Sequence, residues 1–236
     1  MLASSPSAAV RLVSVRLRGV ERTLALLGPE PRLEYVRLVA HAAPAIEVAL
    51  GDEVVANRVG TCSVDPPTLT LRPWRVERRL FAAALAETSS SHRTLAFADV
   101  AACYASIGPE VVHAALERLD APGAAAVQGF LTSLARHGVR GLPVGPNASA
   151  VLANAVLSHV DRALRAARIA HIRWVDDIVI GVRGPSEATH GLELVRDALH
   201  ALGLRPNERK TRVVTDPASL VSAGTSGMRG RPVRVG

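Results

Sequence analysis

The run His171-Ile172-Arg173-Trp174-Val175-Asp176-Asp177-Ile178-Val179-Ile180-Gly181-Val182 constrains this chain more than any other segment. Two apolar stretches flank a short acidic bend, the pattern of two antiparallel strands joined by a tight Asp-Asp turn. Residues 149–168 precede it, with Leu152, Val156, Val160 and Leu164 recurring every four positions. That spacing predicts one buried stripe on a helix, expected to be the longest in the chain.

The neighbouring segments extend the pattern. Residues 93–100 read as a buried strand, 108–120 as a helix opened by Gly-Pro, and 123–136 as a second helix. A loop with Gly and Pro spans 141–149. After the hairpin, 186–202 predicts a helix capped by Gly203, and 204–214 leads into a last strand. Strand, two helices, loop, long helix, hairpin, helix and strand make an α+β domain with helices on one face of an antiparallel sheet.

The N-terminal part is less sharply patterned. Residues 1–30 read as a helical or extended lead-in ending at Gly28-Pro29. Helical spacing over 31–50 is interrupted by Pro44, and 51–60 reads as a short strand closed by glycine. A connector with Pro66, Pro67 and Pro73 leads to a helix over Trp74–Ala86, and Ser89-Ser90-Ser91 marks a loop.

Charge points to the partner. The formal net charge is +7, and all but one of the 28 Lys and Arg residues are arginine. A basic chain favours an anionic partner, with nucleic acid ahead of membrane because no basic amphipathic anchor stands out. A GC-rich coding sequence gives the same arginine skew, so charge supports a case without making one. Two cysteines, Cys62 and Cys103, form no disulfide framework or metal-ligand spacing. With no apolar run long enough to span a bilayer and no signal-peptide core, the chain is expected to be cytoplasmic.

Three carboxylates carry the chemistry. Asp176 and Asp177 repel one another within a frame of Ile172, Trp174, Ile178 and Ile180, a conflict that a bound divalent cation would relieve. Aspartate is also a good turn former, and this segment taken alone favours a solvated hairpin turn. Asp99 shifts the balance. It interrupts the apolar run Leu95-Ala96-Phe97-Ala98-Asp99-Val100, where a lone carboxylate is costly unless paired or metal-bound. If the two strands are neighbours, the three carboxylates make a hard-oxygen site suited to two Mg²⁺ ions, with Mn²⁺ as a substitute. Two ions about 3.5–4 Å apart would clamp an in-line phosphoryl transfer.

These segments together resemble the reverse transcriptases. FADVAACYASI (97–107) resembles their first palm motif, and GLPVGPNASAVLANAVLSHVD (141–161) the second. WVDD (174–177) resembles the paired-aspartate motif, and LGLRPNERKT (202–211) the helix-to-strand motif that follows. Within that superfamily the look is closest to bacterial abortive-infection and defence-associated enzymes, through the Gly-Leu-Pro-Val-Gly-Pro phrasing and the Ala56-Asn57-Arg58 element. The resemblance implies a polymerase-type palm over 93–214 and a small fingers-like region over 1–92. No thumb is evident, and 215–236 reads as a flexible or partner-binding tail.

It also implies roles. Asp99, Asp176 and Asp177 match the metal ligands, together with the backbone carbonyl of Val100. Tyr104 matches the aromatic residue under the sugar that excludes a 2′-hydroxyl; without the motif, core packing would explain it. Gly141, Pro143, Val144 and Gly145 match the bend near the incoming nucleotide and the template. Ser149 would cap the long helix or touch the template strand. Lys210, the lone lysine, matches a residue that protonates pyrophosphate, a task arginine cannot perform. Arg58, followed by Arg72 and Arg75, is the expected triphosphate contact.

The implied function is two-metal addition of deoxynucleotides to a 3′-hydroxyl on an RNA or DNA template-primer, from dNTPs, in a setting such as antiphage defence. A second subunit would be the source of a thumb. Untemplated or protein-primed synthesis by the same site is the first alternative. A catalytically silent palm that binds nucleic acid or a polymerase is the second.

Overall fold

The computed structural model describes residues 10–17 and 20–217. In chain order the elements are β1 (Val10–Leu17), β2 (Val20–Leu27), α1 (Pro29–Ala49), β3 (Val59–Ser63), β4 (Thr68–Leu71) and α2 (Trp74–Ser91). Then come β5 (Thr94–Ala98), α3 (Cys103–Ser106), α4 (Pro109–Arg118), α5 (Ala124–Arg136) and α6 (Asn147–Ala166). β6 (Ala170–Trp174), β7 (Asp177–Val182), α7 (Pro185–Ala201) and β8 (Arg212–Val214) complete the order.

The central sheet runs β6-β7-β5-β8, with every neighbouring pair antiparallel. This is the expected α+β palm, except that helices cover both faces of its antiparallel sheet and not one. Alternation along β5 explains its two faces. Ala96 and Ala98 face the main core, shared with Ile178, Ile180 and Val182 of β7 and with residues of α1, α4, α5, α6 and α7. Leu95 and Phe97 face a second cluster with Ile172, Val179, Val55 and the fully buried Phe81 of α2. So α6 and α7 lie against one face, and α2 covers the other. At Gly181 a Cβ would stand 2.7 Å from both Thr88 and His92, so only glycine lets α2 lie this close to β7. Burying one side chain such as Phe81 stabilises by about 2–3 kcal/mol.

Several local expectations are corrected. Of the two forms expected for the lead-in, residues 10–17 and 20–27 take the extended one, as antiparallel strands with Val10 opposite Leu27. Helix α1 continues through Pro44, because burial of Tyr35, Val39, Ala43 and Ile46 outweighs one missing backbone hydrogen bond. At 21 residues α1 is also longer than the 20-residue α6. The strand expected at 51–60 begins only at Val59 and pairs with β4 around the Pro66-Pro67 turn. Helix α2 runs through the serine cluster, where the hydroxyls of Thr88 and Ser89 donate to the carbonyls of Ala84 and Leu85. The cap at Gly203 is as expected, with φ +70 and the Leu204 N–H donating to Leu199 O. The tail at 215–236 lies, beyond residue 217, outside the described residues. No helix among them is long and apolar enough to cross a membrane.

Candidate active site

β5 and β7 bring the acidic residues together. Their last ladder pair is Ala98 with Ile178, so one step further the same register sets Asp99 opposite Asp177. Asp177 is itself the first residue of β7, paired with Trp174. The hairpin bend is therefore Val175-Asp176, one residue earlier than the expected Asp-Asp turn. Val175 carries φ +57 and Asp176 does not share it, the asymmetry of a II′ turn. A β-branched residue in that region is strained by about 1–3 kcal/mol.

Asp99 is only 3% exposed and fully engaged. Its Oδ1 accepts from Asn207 Nδ2 at 2.8 Å and its Oδ2 from Lys210 Nζ at 2.5 Å. The Asn207 N–H donates to Asp99 O at 2.7 Å, and the Ala101 N–H to Arg205 O at 2.9 Å. These two bonds make an antiparallel bridge between Val100 and Pro206 that leaves the Val100 carbonyl itself out of the pairing.

The electrostatics follow from crowding. Burial, then the charges of Asp176 and Asp99, push the Asp177 carboxyl up to about 6, against the opposing pull of Lys210. Burial works against the Lys210 charge, but the hydrogen bond and charge of Asp99, with Asp177 and Asp176 behind it, raise its pKa overall. Burial and the Asp176 charge push the Cys103 thiol up to about 12. Burial, then Cys103 and Asp176, raise Tyr104 above the usual phenol range. Three carboxylates thus share one end of the sheet with one ammonium.

Among the described residues, no three His, Cys, Asp or Glu side chains are grouped so as to hold a metal ion. At Asp99 the Lys210 ammonium and the Asn207 amide each engage one carboxylate oxygen. In chemistry the donor set still suits a hard divalent cation: it is all carboxylate and its charges repel, and one oxygen already carries a cation.

The other predicted residues are placed variously. Tyr104, half-buried on α3, follows Ala102 in the left-handed region at φ +47. The Tyr104 carbonyl accepts from the Leu142 N–H at 2.8 Å, which ties the 141–145 bend to α3. Gly141 serves that contact: at φ +62, a Cβ would stand 2.2 Å from Tyr104 O. Gly145, at φ +122, is exposed with open space beside it, and Val144 is half-buried. Pro143 is buried.

Two roles are corrected. Ser149 is no cap, since α6 begins at Asn147 with Pro146 before it. Its hydroxyl is fully buried 3.0 Å from the Tyr35 hydroxyl, away from any surface a template could reach. Arg58 is committed internally. Its Nε donates to Glu47, and its Nη1 donates to the carbonyls of Gly51 and Val54. Glu77 meanwhile accepts from the backbone N–H groups of Asn57 and Arg58. Arg72 and Arg75 are exposed.

Sequence reasoning missed Asn207 and the group behind the hairpin. Arg173, fully buried, donates to Asp161 through Nε and Nη2 and to Asn154 Oδ1 through Nη1. Polar Asn154 and Asp161 stand two helical turns apart on the buried side of α6, and Arg173 interrupts an apolar strand. That coincidence was the readable signal.

The sequence matches the family described as reverse transcriptase (RNA-dependent DNA polymerase) over residues 37–227. The chain belongs to the reverse transcriptase family. The match begins well before β5, so the family extends to α1. Solved structures agree on the fold. A telomerase from Candida albicans, in complex with a TWJ fragment of telomeric RNA, superposes with a TM-score of 0.56 at 12% identity. It covers 87% of this chain and 42% of that one. Apo telomerase from Candida tropicalis, truncated from its C-terminal domain, gives 0.51 at 13% identity, covering 91% and 51%. This reverse transcriptase chain thus spans about half the length of those telomerases or less. A search among curated proteins found no match.

Proposed function

We propose that the chain is a nucleotidyltransferase that adds deoxynucleotides to a 3′-hydroxyl on a nucleic-acid template, from dNTPs. The observation that carries this reading is the register of β5 and β7, which sets Asp99 opposite Asp177 beside Asp176. Family membership supplies the reaction class. Asp99, Asp176 and Asp177, with the Val100 carbonyl, are the groups that would hold Mg²⁺ or Mn²⁺. Bound there, two divalent ions would supply positive charge for the transferring phosphoryl group.

The chain's own residues do the rest. Asp99 and Asp177 draw Lys210 to the site and keep it protonated, so it can hand a proton to the departing pyrophosphate. Tyr104, held through its carbonyl by Leu142, lies under the sugar and favours a 2′-deoxy substrate. With Arg58 engaged by Glu47, the exposed Arg72 and Arg75 are the triphosphate contacts. The Gly141–Pro146 phrasing supports a place among defence-associated members, and a partner subunit is the proposed source of a thumb.

The test is incorporation of labelled dNTPs by purified protein with Mg²⁺, with and without a primed RNA template, beside Asp176→Ala/Asp177→Ala. Template-dependent product lost in the double variant supports the reading. Product without template moves the reading to untemplated synthesis by the same site. Folded protein that makes no product under either condition, even with a co-purified partner present, sinks it in favour of a silent palm.

A further inference from the structure

Arg173 has more partners than a core ion pair needs. Its guanidinium meets Asp161 and Asn154 on α6, and Nη1 also donates to the carbonyl of Val175 at 2.9 Å. Val175 is the strained residue of the hairpin bend, and Asp176 and Asp177 follow it directly. The main chain of Arg173 is used as well. Its N–H donates to Glu53 O at 2.8 Å, and its carbonyl accepts from the Val55 N–H at 3.1 Å, a parallel bridge along the edge of β6. Asn154 completes the circuit by donating through Nδ2 to the carbonyls of Ala56 and Asn57.

A bend with one β-branched residue at positive φ does not hold itself, because the backbone relaxes unless something fixes it. The fixed donor here is the guanidinium. Its planar fork is locked from behind by Asp161, so it reaches the Val175 carbonyl in one geometry only. An ammonium on a flexible stem could neutralise Asp161 but could not hold Asp161, Asn154 and Val175 together. We propose that Arg173 is a positioning residue: it fixes the bend that presents Asp176 and Asp177, and it ties that bend to the 53–57 loop.

Trp174 lies between Arg173 and Val175, packed against Phe81 with the Arg78 guanidinium over its ring, and reports the order of the bend without any catalysis. In a Trp74→Phe background it is the sole tryptophan. Three variants are compared in that background: Arg173→Lys, Asp161→Asn and Val175→Gly. Arg173→Lys is expected to move Trp174 emission to longer wavelength and raise its quenching by acrylamide more than Asp161→Asn does, because Asp161→Asn keeps one acceptor oxygen for the guanidinium and, with Asn154, leaves the arginine on Val175. In dNTP incorporation Arg173→Lys should lower kcat about tenfold or more with KM for dNTP little changed, as loss of an orienting partner does. Val175→Gly, which relieves the strained φ and so remains testable if Arg173→Lys does not fold, should keep wild-type emission and quenching while Arg173 is intact.

The kinetic arm rests on the proposed function, and the fluorescence arm does not. A wild-type protein without polymerase activity therefore sinks the proposed function and leaves this inference to the tryptophan readout. Unchanged Trp174 emission and quenching in Arg173→Lys overturns it. So does an equal change in Asp161→Asn, which would make Arg173 an ion-pair partner only. Loosening of the bend by Val175→Gly alone overturns it too, since the valine and not the arginine would then be holding the turn.

Discussion

Asn207 grips Asp99 at both ends, its main-chain N–H on the Asp99 carbonyl and its side-chain amide on Oδ1. The contact joins residues 108 positions apart in the chain. It also fixes the carboxylate's orientation, leaving Oδ2 to Lys210. Asn207→Ala should therefore lower nucleotide incorporation about 10–100-fold with a small change in Tm. Steady-state kinetics beside a thermal melt decides this; an activity within about twofold of wild type would leave Asn207 a merely structural link.

Asp177 is half-buried among like charges, an arrangement that costs the fold. Asp177→Asn removes one of them. Without divalent ions it should raise stability by about 1 kcal/mol, after allowing for solvent screening, while incorporation falls below detection. Urea unfolding in EDTA, together with the incorporation assay, measures both. Loss of stability in the variant would show that crowding at this site is not costly.

Arg58 holds the turn before β3 through Glu47, Gly51 and Val54. Arg58→Ala should destabilise by about 2–3 kcal/mol, because it leaves Glu47 partly buried with its charge uncompensated. If Arg58 were chiefly a phosphate ligand, KM for dNTP would rise with Tm unchanged. Melting curves and KM together separate the two.

Gly141→Ala meets the Tyr104 carbonyl at 2.2 Å and an unfavourable positive φ. The expected result is a loss of at least about 2 kcal/mol, with displacement of α3. Soluble protein with a wild-type melting temperature would contradict it.

The Asp161 carboxyl is subject to opposing influences. Burial raises its pKa, but Arg173, with help from His171, more than reverses this and leaves it below the ordinary aspartate value. Such a group adds stability above its unfolded pKa of about 3.9, and that contribution is lost as pH falls through the lower folded value. The stability gap between wild type and Asp161→Asn should thus be constant near neutrality and shrink as pH falls below about 4. Urea titrations at several pH values test it, and a gap independent of pH would refute it.

Much of this architecture was legible because it rests on local periodicity. The stripe Leu152, Val156, Val160 and Leu164 is buried on α6 as read, and Asp99 follows a buried strand as read. What stayed hidden depends on distant partners. Pro44 reads as a helix break until the burial of Tyr35 and Ile46 is known. Arg58 reads as a free cation until Glu47 is found beside it, and Ser149 as a cap until Tyr35 takes its hydroxyl. The Arg173 cluster needed α6 and β6 in contact before its three polar residues could be seen as one group.

The placing of α2 on the back of the sheet has a practical corollary for anyone cutting this gene. A fragment starting at residue 93 would keep Asp99, Asp176, Asp177 and Lys210, yet it would leave Leu95, Phe97, Ile172 and Val179 facing water where Phe81 had covered them. Four large apolar side chains on a naked sheet invite self-association. The carboxylate cluster and solubility therefore divide this polypeptide at different places, and a soluble minimal fragment has to start upstream of Trp74.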